Sequence, residues 1–206
     1  MKKTAMLTAA CVLAALAACV PSLYPLYTEK DLIFDPELLG TWTGSNETSW
    51  TLRQAERKSY KLIFLDQDMK TGEFSVHLVK LGAHLFLDLY PIESKAKEQN
   101  FYRLHWRPMH TFAKITREDD TWKVAYMQRG WISEALKKNP GLIKHEPSDR
   151  GILLTAPTAD LQKLILDNVN DPKIFHEYAT LKRVAGPETK PGDKDAKQSK
   201  DDAKSA

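Results

Sequence analysis

The chain of 206 residues holds two cysteines, Cys11 and Cys19, and none beyond residue 19. Whatever folds after that point does so without a disulfide. It also has no thiol nucleophile and no cysteine-ligated metal site. An excess of one charge is lacking too, since 30 Lys and Arg face 27 Asp and Glu for a formal net charge of +3. So even a balance gives no electrostatic footprint for nucleic acid. The longest apolar run near the start, "AMLTAACVLAAL" at residues 5–16, is too short to span a bilayer. The motifs G-x-S-x-G, H-E-x-x-H, the P-loop and G-x-G-x-x-G are all missing. These absences lead us to expect no catalytic residues, no metal and no cofactor.

What is present begins at the N-terminus. Lys2 and Lys3 precede the apolar run, and small residues close it at "LAAC", 16–19. That order is a secretory signal, but secretory cleavage needs no cysteine. A cysteine at the first mature position resembles the lipobox of bacterial lipoproteins. The resemblance implies cleavage before Cys19, a diacylglycerol thioether on its sulfur and an acyl chain such as palmitate on its amine. One chain holds a membrane marginally and two hold it stably; this modification supplies three. Val20, not aspartate, comes next. By resemblance to Gram-negative lipoproteins, that implies the periplasmic face of the outer membrane. Loss of Lys2 and Lys3 leaves 28 basic against 27 acidic side chains.

The expected organisation follows: a signal peptide at 1–18, a lipidated linker at 19–27, one domain at 28–184 and a tail at 185–206. The tail reads "GPETKPGDKDAKQSKDDAKSA" from Gly186, with no large apolar residue to bury. It serves as a solvated tail or as a tether towards peptidoglycan or a partner.

In the domain, "DPELLG" reads as one helical turn, with Asp35 as its cap, Pro36 first and Gly40 as its stop. The period then becomes two. Trp50 and Leu52 share a face, as do Tyr60, Leu62 and Phe64. Phe74, Val76 and Leu78 alternate with Ser75, His77 and Val79, and Leu85, Leu87 and Leu89 with His84, Phe86 and Asp88. "HTFAKITRE" and "TWKVAYMQ" continue the series around a turn at Asp119 and Asp120. Gly82 marks a tight hairpin. Two amphipathic helices follow, in "GWISEALKKNPG" and in "PTADLQKLILDNVNDP" with Thr158 as its cap, and "EYATLKRV" closes the series as a strand. The prediction is a mainly β fold, an antiparallel meander closing into a small barrel, with two helices in the C-terminal half.

"LLGTW" at 38–42, a Gly-x-Trp behind a short helical turn, is similar to the opening of lipocalin-type barrels. The late helix before a last strand is similar as well. "HLVKLGAHLFLDLYP" at 77–91 resembles a family of uncharacterised bacterial lipoproteins. That second resemblance implies no activity.

Two constellations are candidates for function. Trp42, Trp50, Phe64, Phe74, Phe86 and Trp122 fall on strands. They line an apolar pocket, or they fill a core. Neighbouring strands could also gather His77, His84, His110 and Asp88 into a metal or acid–base set, although strand histidines are more often met by hydrogen bonds or solvent. "RLHWRPMH" at 103–110 is a rim for an anionic headgroup, or a solvated crossing. Three functions remain: a lipid-anchored barrel binding a small apolar or amphipathic ligand, a protein-interaction or envelope-assembly module with a filled core, and a hydrolase.

Overall fold

The computed structural model describes residues 19–92, 107–148 and 151–184. The expected signal peptide and tail, together with His105 and Trp106, lie outside the described residues. Among the described residues, eleven strands and two α-helices are formed. In chain order these are β1 Leu32–Ile33, β2 Gly40–Gly44, β3 Ser49–Gln54, β4 Ser59–Leu65, β5 Thr71–Leu81 and β6 His84–Pro91. Then come β7 Thr111–Glu118, β8 Thr121–Met127, α1 Arg129–Lys138, β9 His145–Ser148, β10 Gly151–Leu154, α2 Thr158–Asn168 and β11 Phe175–Arg183.

Eight strands close on themselves in the order β5-β4-β3-β2-β11-β8-β7-β6, and β6 pairs back with β5. Every pairing is antiparallel. Closure removes the sheet edges that would otherwise invite pairing with other chains. β5 is long enough to pair with β4 over Thr71–His77, with β6 over Phe74–Leu81, and with the short outer strand β1 at Leu78 and Val79. Tight turns set the registers. Gly82, at φ +59°, and Asp119, at φ +51°, each begin a two-residue hairpin, and both are residue types that tolerate the left-handed region.

The period-two pattern sorts side chains to two cores. Leu38, Trp42, Trp50, Leu52, Tyr60, Leu62, Val76, Leu78, Leu87, Leu89 and Trp122 form one buried cluster inside the barrel. The opposite strand faces, with Val79, Leu81, Phe86 and Phe112, meet α1 and α2 through Ile132, Leu136, Leu161 and Ile165 in a second cluster outside the wall. β6 is therefore covered on both faces, and Phe86, Leu87, Asp88 and Leu89 are buried in succession.

Three details differ from the sequence reading. The segment 19–27 is no loose linker. Val20 is 4 % and Leu26 0 % exposed, and the segment runs as a strap along the outer wall. Ser22 exchanges both backbone hydrogen bonds with His110, Leu154 donates to the Pro21 carbonyl, and Gln162 donates to the Leu26 carbonyl. The ordered domain thus includes residues 20–27. Thr158 is the first residue of α2 and does not cap it; its hydroxyl donates to the Pro25 carbonyl of the strap at 2.8 Å. The β9–β10 hairpin was not anticipated, because Pro147 and an irregular pattern conceal it.

The barrel has two distinct ends. One, the lower rim, carries the turns at 45–48 and 66–70 and the starts of β7 and β11. The strap begins there, where Ser22 meets His110. The other, the upper rim, carries the turns at 55–58, 82–83 and 119–120. A 3-10 turn at Pro36–Leu38 plugs it. Asp35 caps that turn by accepting the Glu37 N–H, and Leu38 is buried.

Candidate functional site

Two places gather polar chemistry. The first lies on the outer wall beneath the strap. Asp88 is fully buried, and a buried carboxylate is costly unless every lone pair is used. One oxygen accepts the backbone N–H of Leu26 at 2.7 Å. The other sits 2.7 Å from His110 Nδ1. An ionised carboxylate has no proton to give, so Nδ1–H donates. His77, opposite Asp88 across the β5–β6 ladder, completes the group. Tyr27 of the strap packs on His77, with ring centres 4.5 Å apart, and Tyr90 packs on His110 at 4.5 Å.

The electrostatics follow from this burial. Burial holds His77 below its usual 6.5, while the charge of Asp88 and then that of Glu29 pull it back up. Burial, with the negative charges of Asp88 and Glu29, pushes the Tyr27 hydroxyl up to about 12. Of the four residues anticipated as one set, the structure brings His77, His110 and Asp88 together. It leaves His84 at the upper rim, where burial and the charge of Lys114 lower its pKa. Among the described residues no group of three or more His, Cys, Asp or Glu could hold a metal ion. The hydroxyl of Ser22, on the residue paired with His110, is spent within its own turn. It donates to the Tyr24 carbonyl and accepts the Tyr24 N–H. Among the described residues that serine is engaged with Tyr24 and not with the Asp88–His110 pair. What the pair does do is fasten the strap to β6 and β7.

The second place is a cleft of about 430 Å³ at the upper rim, lined by Trp42, Trp122, Arg117, Arg183, Glu37 and Lys182 among others. Two of the six predicted aromatics meet here. Each tryptophan has a guanidinium over its ring, Arg183 at 4.2 Å from Trp42 and Arg117 at 5.8 Å from Trp122. Arg183 also donates to the carbonyls of Leu39 and Glu37, at 2.7 and 2.6 Å. It thereby staples the last strand to the plug. Gly40, at φ +118°, leaves the room: a Cβ there would lie 2.8 Å from an Arg183 nitrogen. Trp42 and Trp122 are only 2 % and 3 % exposed. A ligand in the cleft would therefore meet its charged groups far more than its tryptophan rings.

The other predicted aromatics part company. Trp50 is buried inside the barrel with Phe64 edge-on at 5.4 Å, and Phe74 is half-buried against the same cluster. Phe86 points the other way, into the outer core, where it packs on Phe175. It cannot line the interior. Cys19, the first described residue, is half-buried above the lower rim. Burial pushes its thiol up to about 11 against the opposing charge of Arg129. The sequence reading missed Tyr27, Arg117 and Arg183. It also missed Tyr90, whose spacing two residues after Asp88 marks a shared strand face.

In comparisons with known proteins, no family model, no curated protein and no solved structure matches the chain. The resemblances to bacterial lipoproteins and to lipocalin-type openings rest on the quoted residues alone.

Proposed function

We propose that this chain is a lipid-anchored cell-envelope protein, held through Cys19 at the periplasmic face of the outer membrane. It works as an interaction or assembly module through its outer surface and rims. The observation that carries the mode of action is the burial of four large aromatics inside the barrel. Trp42, Trp50, Tyr60 and Trp122, each no more than 3 % exposed, interlock with aliphatic side chains from seven of the eight barrel strands, β2 giving Trp42 alone. Protein interiors packed in this way leave few voids larger than a water molecule. Binding a small apolar or amphipathic ligand is the second reading. The upper-rim cleft favours it, with a ligand carried on the rim and not inside.

An environment-sensitive apolar dye separates the two. Anilinonaphthalene sulfonate added to the native protein should show no saturable rise in fluorescence. A saturable, several-fold rise that palmitate competes away would overturn the module in favour of a ligand carrier. The anchor has its own test. Cys19→Ser should move the protein from the membrane fraction to the soluble periplasmic fraction after a high-salt wash. A variant that still sediments wholly with outer membranes would refute anchoring at Cys19.

A further inference from the structure

We infer that the barrel stands upright on the bilayer, lower rim down, and that the lower rim is a lipid-contact surface. The inference rests on the proposed anchoring at Cys19. Its starting point is the missing slack. Cys19 is followed at once by Val20, 4 % exposed, and the strap from Pro21 to Leu26 is tied to the wall through His110, Leu154, Asp88 and Gln162. A chain fastened one residue from its lipid cannot tumble on a tether. The part of the domain around Cys19 must therefore sit at the level of the headgroups.

The two rims differ in a way that fits this. At the lower rim the tip of the β4–β5 turn is Met69, 75 % exposed and the most exposed large hydrophobic among the described residues. Ile92, leaving β6 at the same end, is 39 % exposed, and Tyr24, two residues beyond Ser22 on the strap, is 48 % exposed. Apolar and amphipathic side chains of this kind settle at the boundary between headgroups and acyl chains. The upper-rim turns carry Glu56, Arg57 and Lys58, Gly82 and Ala83, and Asp119 and Asp120. Those turns hold no large hydrophobic side chain; Val184, 45 % exposed, lies at that end on β11's exit, and the lower-rim turns carry Glu47, Asp66, Asp68 and Lys70 beside Met69. The described chain also ends at Val184, one residue past Arg183, at the upper rim.

Labelling tests the orientation directly. Once the signal peptide is cleaved and Cys19 is acylated, an added cysteine is the sole free thiol. Met69→Cys and Ala83→Cys would each be labelled with a nitrobenzoxadiazole dye in the purified full-length lipoprotein. The protein would then be reconstituted on vesicles of phosphatidylethanolamine and phosphatidylglycerol bearing a headgroup spin label. Positions 69 and 83 flank β5, a strand of 11 residues, roughly 36 Å long at the usual rise before tilt. Quenching should be several-fold stronger at position 69 than at position 83. Inserting a Gly/Ser linker of about ten residues between Cys19 and Val20 gives a reach of about 17 Å, and the difference should collapse.

Equal quenching at both positions, with the protein still floating on vesicles, would overturn the upright orientation and leave the anchor standing. A difference that survives the linker would overturn the short mount as its cause. Protein that fails to float at all would overturn anchoring and orientation together.

Discussion

Trp42→Ala is expected to lower the free energy of unfolding by about 3–5 kcal/mol, the usual cost of truncating a large buried aromatic. Trp42 sits near the upper end of the barrel interior, 2 % exposed. Its indole N–H donates to the Leu38 carbonyl at 3.0 Å, so the ring also holds the plug. Arg183 lies over the ring and reaches past it to the Leu39 and Glu37 carbonyls. Truncation removes the packing, frees a carbonyl of the plug and takes away the surface on which Arg183 rests. Domains generally have 5–15 kcal/mol of stability in all, and no disulfide among the described residues limits the damage. Lys123→Ala serves as the control. Lys123 pairs with Glu118 and Glu177 on the outer surface, and exposed pairs contribute little. Chemical denaturation followed by near-ultraviolet circular dichroism should show a large drop in midpoint for Trp42→Ala and almost none for Lys123→Ala. Equal midpoints for the parent and Trp42→Ala would mean that the ring is not part of the core.

Burial at Trp42 was legible in advance because a strand repeats every two residues and few side chains fit inside a small barrel. The same logic placed Leu85, Leu87 and Leu89 on one face and His84, Phe86 and Asp88 on the other. It could not say which second layer covers the outer face. That layer is made by α1, α2 and the strap, whose contacts join residues far apart in sequence. Leu26 meets Asp88 across 62 positions and Gln162 across 136. "VPSLYPLY" has no period, and its prolines break both helix and ladder, so local pattern read it as a linker. Phe86 was grouped with the pocket aromatics for the same reason. Composition shows that a residue is buried, but topology decides in which core. The Asp88 site was half visible. Its position between apolar residues demanded either solvent or partners, and the partners came from β5, from His110 just before β7 and from the strap.

Asp88→Ala is expected to destabilise the fold by about 2–6 kcal/mol, since each of two buried donors left without an acceptor costs about 1–3 kcal/mol. The change strands the Leu26 N–H and the His110 Nδ1–H, both within 2.7 Å of the lost oxygens. Asp88→Asn should cost less, because an amide can still accept from one of them, and a native-like fold makes it the useful probe of charge. In the parent, the unfolded chain protonates His77 near 6.5, while the folded chain does so only at lower pH. Between those values the unfolded state binds more protons, so stability falls as pH drops below about 6.5 and levels off beneath the folded value. His84, also lowered, adds in the same direction. Asp88 is the larger of the two charges that hold His77 up, with Glu29 second. Removing it leaves burial and the proximity of His110 less opposed. The His77 ring protons, followed by nuclear magnetic resonance, should therefore titrate at a lower pH in Asp88→Asn than in the parent. The pH range over which stability declines should widen to match. A His77 midpoint that stays put or rises would mean that the carboxylate does not act on it. Asp88 would then fasten the strap without tuning the histidine beside it.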